Sequence, residues 1–198
     1  MLNIIFNILK SPGSVLFYSN YVEMEGIQIF KIFLSFFGFI SIDDDKEFNP
    51  SNLNKAKKYK GFRFIEFHGG IEKEIRETNK KIFNKKDNKY GDIIKIIMIS
   101  PAGTEGINLR NVRQVHILEP YWNEVRIEQV IGRAIRQCHH EDLPMDERTV
   151  DVFRYKMIRK SGKETADEKL EKISRRKNNL LLSFLEAIKE VSVDCELF

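Results

Sequence analysis

The chain has 198 residues, with 33 lysines and arginines against 29 aspartates and glutamates, and two cysteines. That length holds one domain with a proper core plus an appendage, and a net charge of +4 permits contact with nucleic acid without demanding it. Cys138 and Cys195 build no disulfide framework, so a reducing, cytoplasmic setting is expected.

The start is apolar but lacks a basic n-region and a cleavage site. Residues 1–9 read as a short helix stopped by Ser11-Pro12-Gly13. Val15-Leu16-Phe17-Tyr18 then makes a short buried strand with Ser19-Asn20 at its C-terminal end. Ligands gather at that edge in open α/β sheets. Ser19 and Asn20 are therefore candidates for a nucleic-acid backbone, with an ordinary strand cap as the alternative.

Residues 23–37 form an amphipathic-to-buried helix. The apolar stretch 27–42 carries Lys31 and Gly38 and falls short of the ~20 residues of a membrane span, so no membrane partner is expected. Asp43-Asp44-Asp45-Lys46-Glu47 imitates the acidic end of a Walker B strand. No Walker A loop accompanies it in this sequence, and Gly162-Lys163-Glu164 is not one. Without EF-hand spacing either, the run reads as a solvated loop, followed by a short basic helix around Lys55, Lys57, Lys58 and Lys60. Residues 62–67 are β-prone and closed by His68-Gly69-Gly70. His68 could meet a phosphate, although satisfying the loop itself is the favoured role. Residues 72–83 read as a charged surface helix and 85–91 as a polar turn.

The apolar run 93–99 turns abruptly small and polar at Ser100-Pro101-Ala102-Gly103-Thr104-Glu105-Gly106-Ile107-Asn108. Two glycines there expose backbone N–H groups able to cradle phosphate oxygens. A second apolar run, Val115-His116-Ile117-Leu118, ends at Glu119-Pro120. On the helix that follows, the spacing of Gln129, Arg133 and Arg136 puts all three on one face, flanked by Arg126 and Gly132. Ile127, Val130, Ile131, Ala134 and Cys138 form the opposite, apolar stripe. Glycine inside a helix costs roughly 1 kcal/mol against alanine, so Gly132 points to something large approaching that face. Two neighbouring guanidiniums repel unless an anion lies between them, and the planar fork suits phosphate. A plain solvated helix is the alternative.

Cys138-His139-His140 lacks the second ligand group a zinc site needs, so no metal is expected. Residues 149–155 supply a last strand. The strands near 15, 64, 96, 116 and 152 mostly alternate with helices, which predicts an α/β fold with a parallel sheet and helices on both faces. Then Thr165-Ala166-Asp167-Glu168 makes a capping box. Leu170, Ile173, Leu181, Phe184, Ile188 and Val191 line one face of the helix it starts, interrupted by Lys177. Arg175-Arg176-Lys177 reads better as a solvated face than as a nucleic-acid contact. The expected division is a domain over 1–157 and a helical tail over 158–198.

Four of these segments, in order, resemble the motifs of superfamily-2 helicases. Val15-Leu16-Phe17-Tyr18-Ser19-Asn20 fits motif IV, and His68-Gly69-Gly70 fits the loop between motifs IV and V. The segment from Ser100 to Leu109 is similar to motif V, and Gln129-Val130-Ile131-Gly132-Arg133-Ala134-Ile135-Arg136 to motif VI. The wording from Asn108 through Pro144 most resembles the helicase-like NTPases of large cytoplasmic DNA viruses. The likeness covers 1–157 and weakens in the tail.

It implies a RecA-like fold and one half of an ATP site. In that family a first RecA-like domain carries the P-loop lysine and the acidic motif for Mg2+, and a second supplies arginines. This chain matches the second only, so its implied partner is a first domain in cis or in trans. Arg133 and Arg136 become the catalytic arginines, with Arg136 as the finger. Gln129, Gly106 and Asn108 would lie at the nucleotide. Ser100, Gly103 and Thr104, with Ser19, Asn20, His68 and Gly69, would hold a DNA or RNA backbone without regard to sequence. A viral factory or virion would be the setting. A non-catalytic nucleic-acid clamp or transcription-factor subunit of the same fold is the rival reading.

Overall fold

The computed structural model describes residues 1–49, 60–103 and 106–191. The short basic helix expected around Lys55, and Thr104 as a candidate for the nucleic-acid backbone, lie outside them. The described residues build a six-stranded parallel sheet in the order β2-β3-β4-β1-β5-β6. The strands are β1 (Ser14–Tyr18), β2 (Ile40–Ser41), β3 (Arg63–Phe67), β4 (Ile96–Ile99), β5 (Val112–Ile117) and β6 (Asp151–Arg154).

The apolar run that opens at Val15 places β1 at the centre, flanked by β4 and β5. A central parallel strand is covered on both faces, and all of β1 is buried. Alternation sends its side chains to two cores. Leu16 and Tyr18 join Ile82 and Phe83 of α3 (Lys73–Phe83) and Ile127, Val130, Ile131 and Ala134 of α4 (Glu124–Ala134). Val15 and Phe17 join Ile4, Ile5 and Ile8 of α1 (Leu2–Lys10) and Ile27, Phe30 and Leu34 of α2 (Ile27–Phe36). Two helices thus cover each face, the RecA-like arrangement. Phe17 stacks on Phe30 with ring centres 4.1 Å apart.

Three local expectations change. Helix α2 starts at Ile27 and not at 23, because the chain first turns so that Ile27 donates its N–H to the Tyr21 carbonyl. A side chain at Gly26 would run into that carbonyl. The acidic run is not wholly solvated: Asp45 accepts a 2.8 Å hydrogen bond from Arg63 Nε, and both side chains are 2 % exposed or less. The Phe48 ring lies under the same guanidinium. Asn88 in the polar turn is also interior, accepting from the Ile93 and Ile94 N–H groups and donating to the Phe83 and Ile94 carbonyls.

The capping box is present at the head of α5 (Ala166–Glu190), with Thr165 and Glu168 bonding each other's backbone. Helix α5 meets α4 where Ser174 donates to Glu124 at 3.2 Å, and Lys177 lies 4.2 Å from the centre of the Trp122 ring. Past that point Leu181, Phe184 and Ile188 are exposed on this chain. No described helix is long and apolar enough to cross a membrane.

Candidate nucleotide and nucleic-acid site

The C-terminal ends of β1, β3, β4 and β5 form one edge. Ser19 donates to Glu119 at 3.1 Å and accepts from the Tyr21 N–H, and it is fully buried. Glu119, just after β5, also takes the Asn20 N–H. Burial pushes its carboxyl up, offset in part by these bonds. The Tyr18 hydroxyl, itself pushed by burial to about 12, donates to Asn20 Oδ1 at 2.8 Å. That bond orients the Asn20 amide, whose Nδ2 is turned into the protein on the Glu119 side.

At the end of β3, His68 is 5 % exposed and used internally. Its Nδ1 accepts the Gly70 N–H at 3.1 Å, and its Nε2 lies 3.1 Å from Glu66. Burial pushes Glu66 up, but bonds to His68 and Lys31 bring it below the usual carboxylate range. Gly69 is exposed, and a Cβ at its position would meet the Ala102 methyl at 3.6 Å, so this turn lies next to the turn after β4. Gly103 is buried for a packing reason: any Cβ there would collide with the Phe67 carbonyl. Ser100 is also buried. Of the residues expected at a nucleic-acid backbone, then, Ser19, His68, Ser100 and Gly103 shape the edge from within. Gly69 is exposed, and Asn20 is half-exposed with its Nδ2 turned inward.

Because β4 and β5 are parallel, the segment 100–111 must run back to the N-terminal edge, roughly 15–20 Å for strands of this length. Gly106 takes φ +70 on the way, in open space. Ile107 and Leu109 are buried. Helix α4 runs the same way back, capped at its start by Asn123 accepting the Val125 N–H. At its far end the Arg133 carbonyl accepts the Leu109 N–H at 3.2 Å.

Here the expectation of one helical face fails for Arg136. Helix α4 ends at Ala134, because Ile135 leaves the helical region at φ −107, ψ 84. The chain then folds under β5: the His139 carbonyl accepts the Asn111 N–H, and His140 Nε2 lies 2.8 Å from the Val112 carbonyl. Cys138 is consequently exposed, at φ +65, and not part of the apolar stripe. Arg136 still reaches the site, from a loop: its Nη1 donates to Asn108 Oδ1 at 2.6 Å. Gln129 and Gly132 remain on α4 with Arg133, and nothing crowds Gly132. The Arg133 Nε has no hydrogen-bond partner among the described residues. A cleft of about 420 Å³ opens beside Arg136, with Gln137, His140 and Arg148 on its wall. A larger one, about 570 Å³, lies at the opposite edge between α4 and α5, near Glu119 and Tyr121.

Two contributors escaped the sequence reading. Asn84 ends α3 and binds the backbone of Asn108 and Arg110. Glu119 gathers Ser19 and Asn20. A carboxylate ending an apolar run was the available signal for Glu119; Asn84 had none.

A parallel sheet covered on both faces, with paired arginines at one edge and a glycine-bearing return loop beside them, defines a RecA-like helicase domain. The helicase conserved C-terminal domain family matches residues 2–138, and the chain belongs to that family. It is 47% identical over 205 residues to a protein of Acanthamoeba polyphaga mimivirus named "Putative ATP-dependent RNA helicase", covering all of this chain and 24% of that one. It is 31% identical to the termination factor NPH-I homolog of African swine fever virus, over 96% of the chain and 31% of that protein. It is 34% identical to nucleoside triphosphatase I of Melanoplus sanguinipes entomopoxvirus, over 91% and 25%. The chain thus spans a quarter to a third of these relatives. The C-terminal part of the Fun30 ATPase domain shares the fold at a TM-score of 0.59 and 19% identity, over 87% of this chain and 43% of that structure.

Proposed function

We propose that this chain is the C-terminal motor half of an ATP-dependent nucleic-acid helicase or translocase, completed by a P-loop domain in cis or in trans. Arg133 and Arg136 approach the phosphates of ATP held by that domain, with Gln129, Gly106 and Asn108 around them. The observation that carries this reading is the exposed Arg136 guanidinium fixed to Asn108, with Arg133 in the last turn of the helix just before it. Charge develops on the transferred phosphoryl group, and a preorganised guanidinium stabilises it more than the ground state. The described residues offer no group of three His, Cys, Asp or Glu for a metal; on this reading Mg2+ belongs to the P-loop domain.

The other edge grips a backbone through Asn20, Gly69 and the turn after β4. Because segment 100–111 joins the two edges, closure around ATP and the hold on the strand would change together. Contacts of this kind carry little sequence information. Single-stranded RNA is the first strand to test, since the mimivirus relative is named for RNA.

The test is ATP turnover with and without the P-loop domain. The 198-residue chain alone should show essentially none, and joining the domain should produce strand-stimulated hydrolysis that Arg136→Ala removes. Robust hydrolysis by the chain alone would overturn the half-site reading. A joined protein that binds RNA but never hydrolyses ATP would favour the non-catalytic clamp.

A further inference from the structure

Asn84 reaches across 24 residues to hold the return loop from both sides. Its Nδ2 donates to the Asn108 carbonyl at 2.8 Å, and its Oδ1 accepts the Arg110 N–H at 2.9 Å. Between those two bonds Leu109 is fully buried, and its own N–H is bonded to the Arg133 carbonyl. Ile107, on the other flank of Asn108, is fully buried too. With both neighbours plugged into the core and the backbone clamped, the Asn108 side chain can only point outward. There its Oδ1 meets Arg136 Nη1. Arg136 lies beyond the end of α4, so the helix does not set its place; the loop does.

We propose that Asn84 is a positioning residue for Arg136, acting through Asn108. The carboxamide of Asn84 orders the Asn108 backbone, the Asn108 oxygen then sets the guanidinium, and the guanidinium meets the phosphate already aligned. A long arginine side chain loses considerable rotamer freedom when it is ordered. Doing so before ATP arrives removes that cost from the chemical step. The inference rests on the function proposed above for Arg136.

The experiment uses the two-domain motor that contains this chain, with ATP and single-stranded RNA. Asn84→Ala should lower kcat by about ten- to a hundredfold and leave KM for ATP within about threefold. In an Asn108→Ala background the same change should add less than about twofold, because the route to Arg136 is already cut. Asn84→Asp keeps the acceptor for Arg110 but loses the donor to Asn108, and should fall between. It carries the same comparison if Asn84→Ala does not fold. An Asn84→Ala enzyme with unchanged kcat, alongside an inactive Arg136→Ala enzyme, overturns the positioning role and leaves the proposed function standing. An equal loss in both backgrounds, tracking lost thermal stability, also overturns it, since that is plain structural damage. An Arg136→Ala enzyme with full turnover removes both.

Discussion

Ser19 gives its hydroxyl hydrogen to Glu119, so the serine at the end of β1 is spent inside the protein. Of the two residues at this strand end, only the half-exposed Asn20 has surface to offer a backbone. Ser19→Ala should cost about 1 kcal/mol of stability while RNA affinity changes by less than about twofold. Asn20→Ala should weaken binding by several fold, and the wild-type affinity should fall steeply with added salt. Fluorescence titrations at several salt concentrations measure both. Strong binding that ignores salt would contradict a backbone grip.

Arg136 and Arg126 separate cleanly by environment. Arg126 is turned inward, donating to the Tyr121 hydroxyl at 2.9 Å and lying over its ring. In the two-domain motor, Arg136→Lys should depress kcat far more than it raises the Kd for ATP, since lysine keeps the charge but loses the fork. Full removal should reach roughly a thousandfold. Arg126→Ala should keep most of its turnover. Single-turnover kinetics that ranked the two the other way would show that the wrong arginine was chosen.

The buried Asp45–Arg63 pair predicts an asymmetric stability result. Arg63→Met alone strands a buried carboxylate and should cost about 3–5 kcal/mol. Replacing Asp45 with leucine in the same molecule should restore most of that. Urea unfolding of the single and double variants decides it, and a single variant as stable as wild type would contradict the pairing.

His116 supplies a pH dependence. It is fully buried between Tyr155 and Gln114, and burial lowers its pKa from 6.5 to about 4. The unfolded chain therefore binds a proton between those values while the folded one does not. Stability from this residue is present above pH 6.5 and is lost as pH falls toward 4, by about 3 kcal/mol at most. Melting curves from pH 7 to pH 4 should show the slope, and His116→Gln should flatten it.

The outer half of α5 should tolerate charge. Phe184→Asp and Leu181→Asp lie on surface that this chain leaves exposed, so each should change stability by no more than about 0.5 kcal/mol. Phe17→Ala, in the core between α1 and α2, should cost about 3–5 kcal/mol. A matching loss at Phe184 would mean that α5 folds back on the domain.

Much of the architecture was readable in short-range patterns. The apolar run of β1 announces a strand covered on both faces. The spacing of Ile127, Val130, Ile131 and Ala134 announces a packed helix, and Thr165 with Glu168 announces a helix start. These rest on neighbours one to four residues apart, which a sequence displays directly. Even the pairing of motifs needed only their order along the chain.

Partnerships between distant residues had no such record. The apolar and basic pattern of α4 continues unbroken through Arg136, so nothing local marks the stop at Ala134; the turn under β5 imposes it. Asp45 looked solvated beside other acids until Arg63, 18 residues on, was folded against it. Asn84 looks like any residue ending a charged helix, and only the parallel run of β4 and β5 on either side of β1 returns the loop to its reach. Local propensity chose the elements. Burial of their apolar faces then decided which polar groups met, and so which arginine was held and which serine was spent.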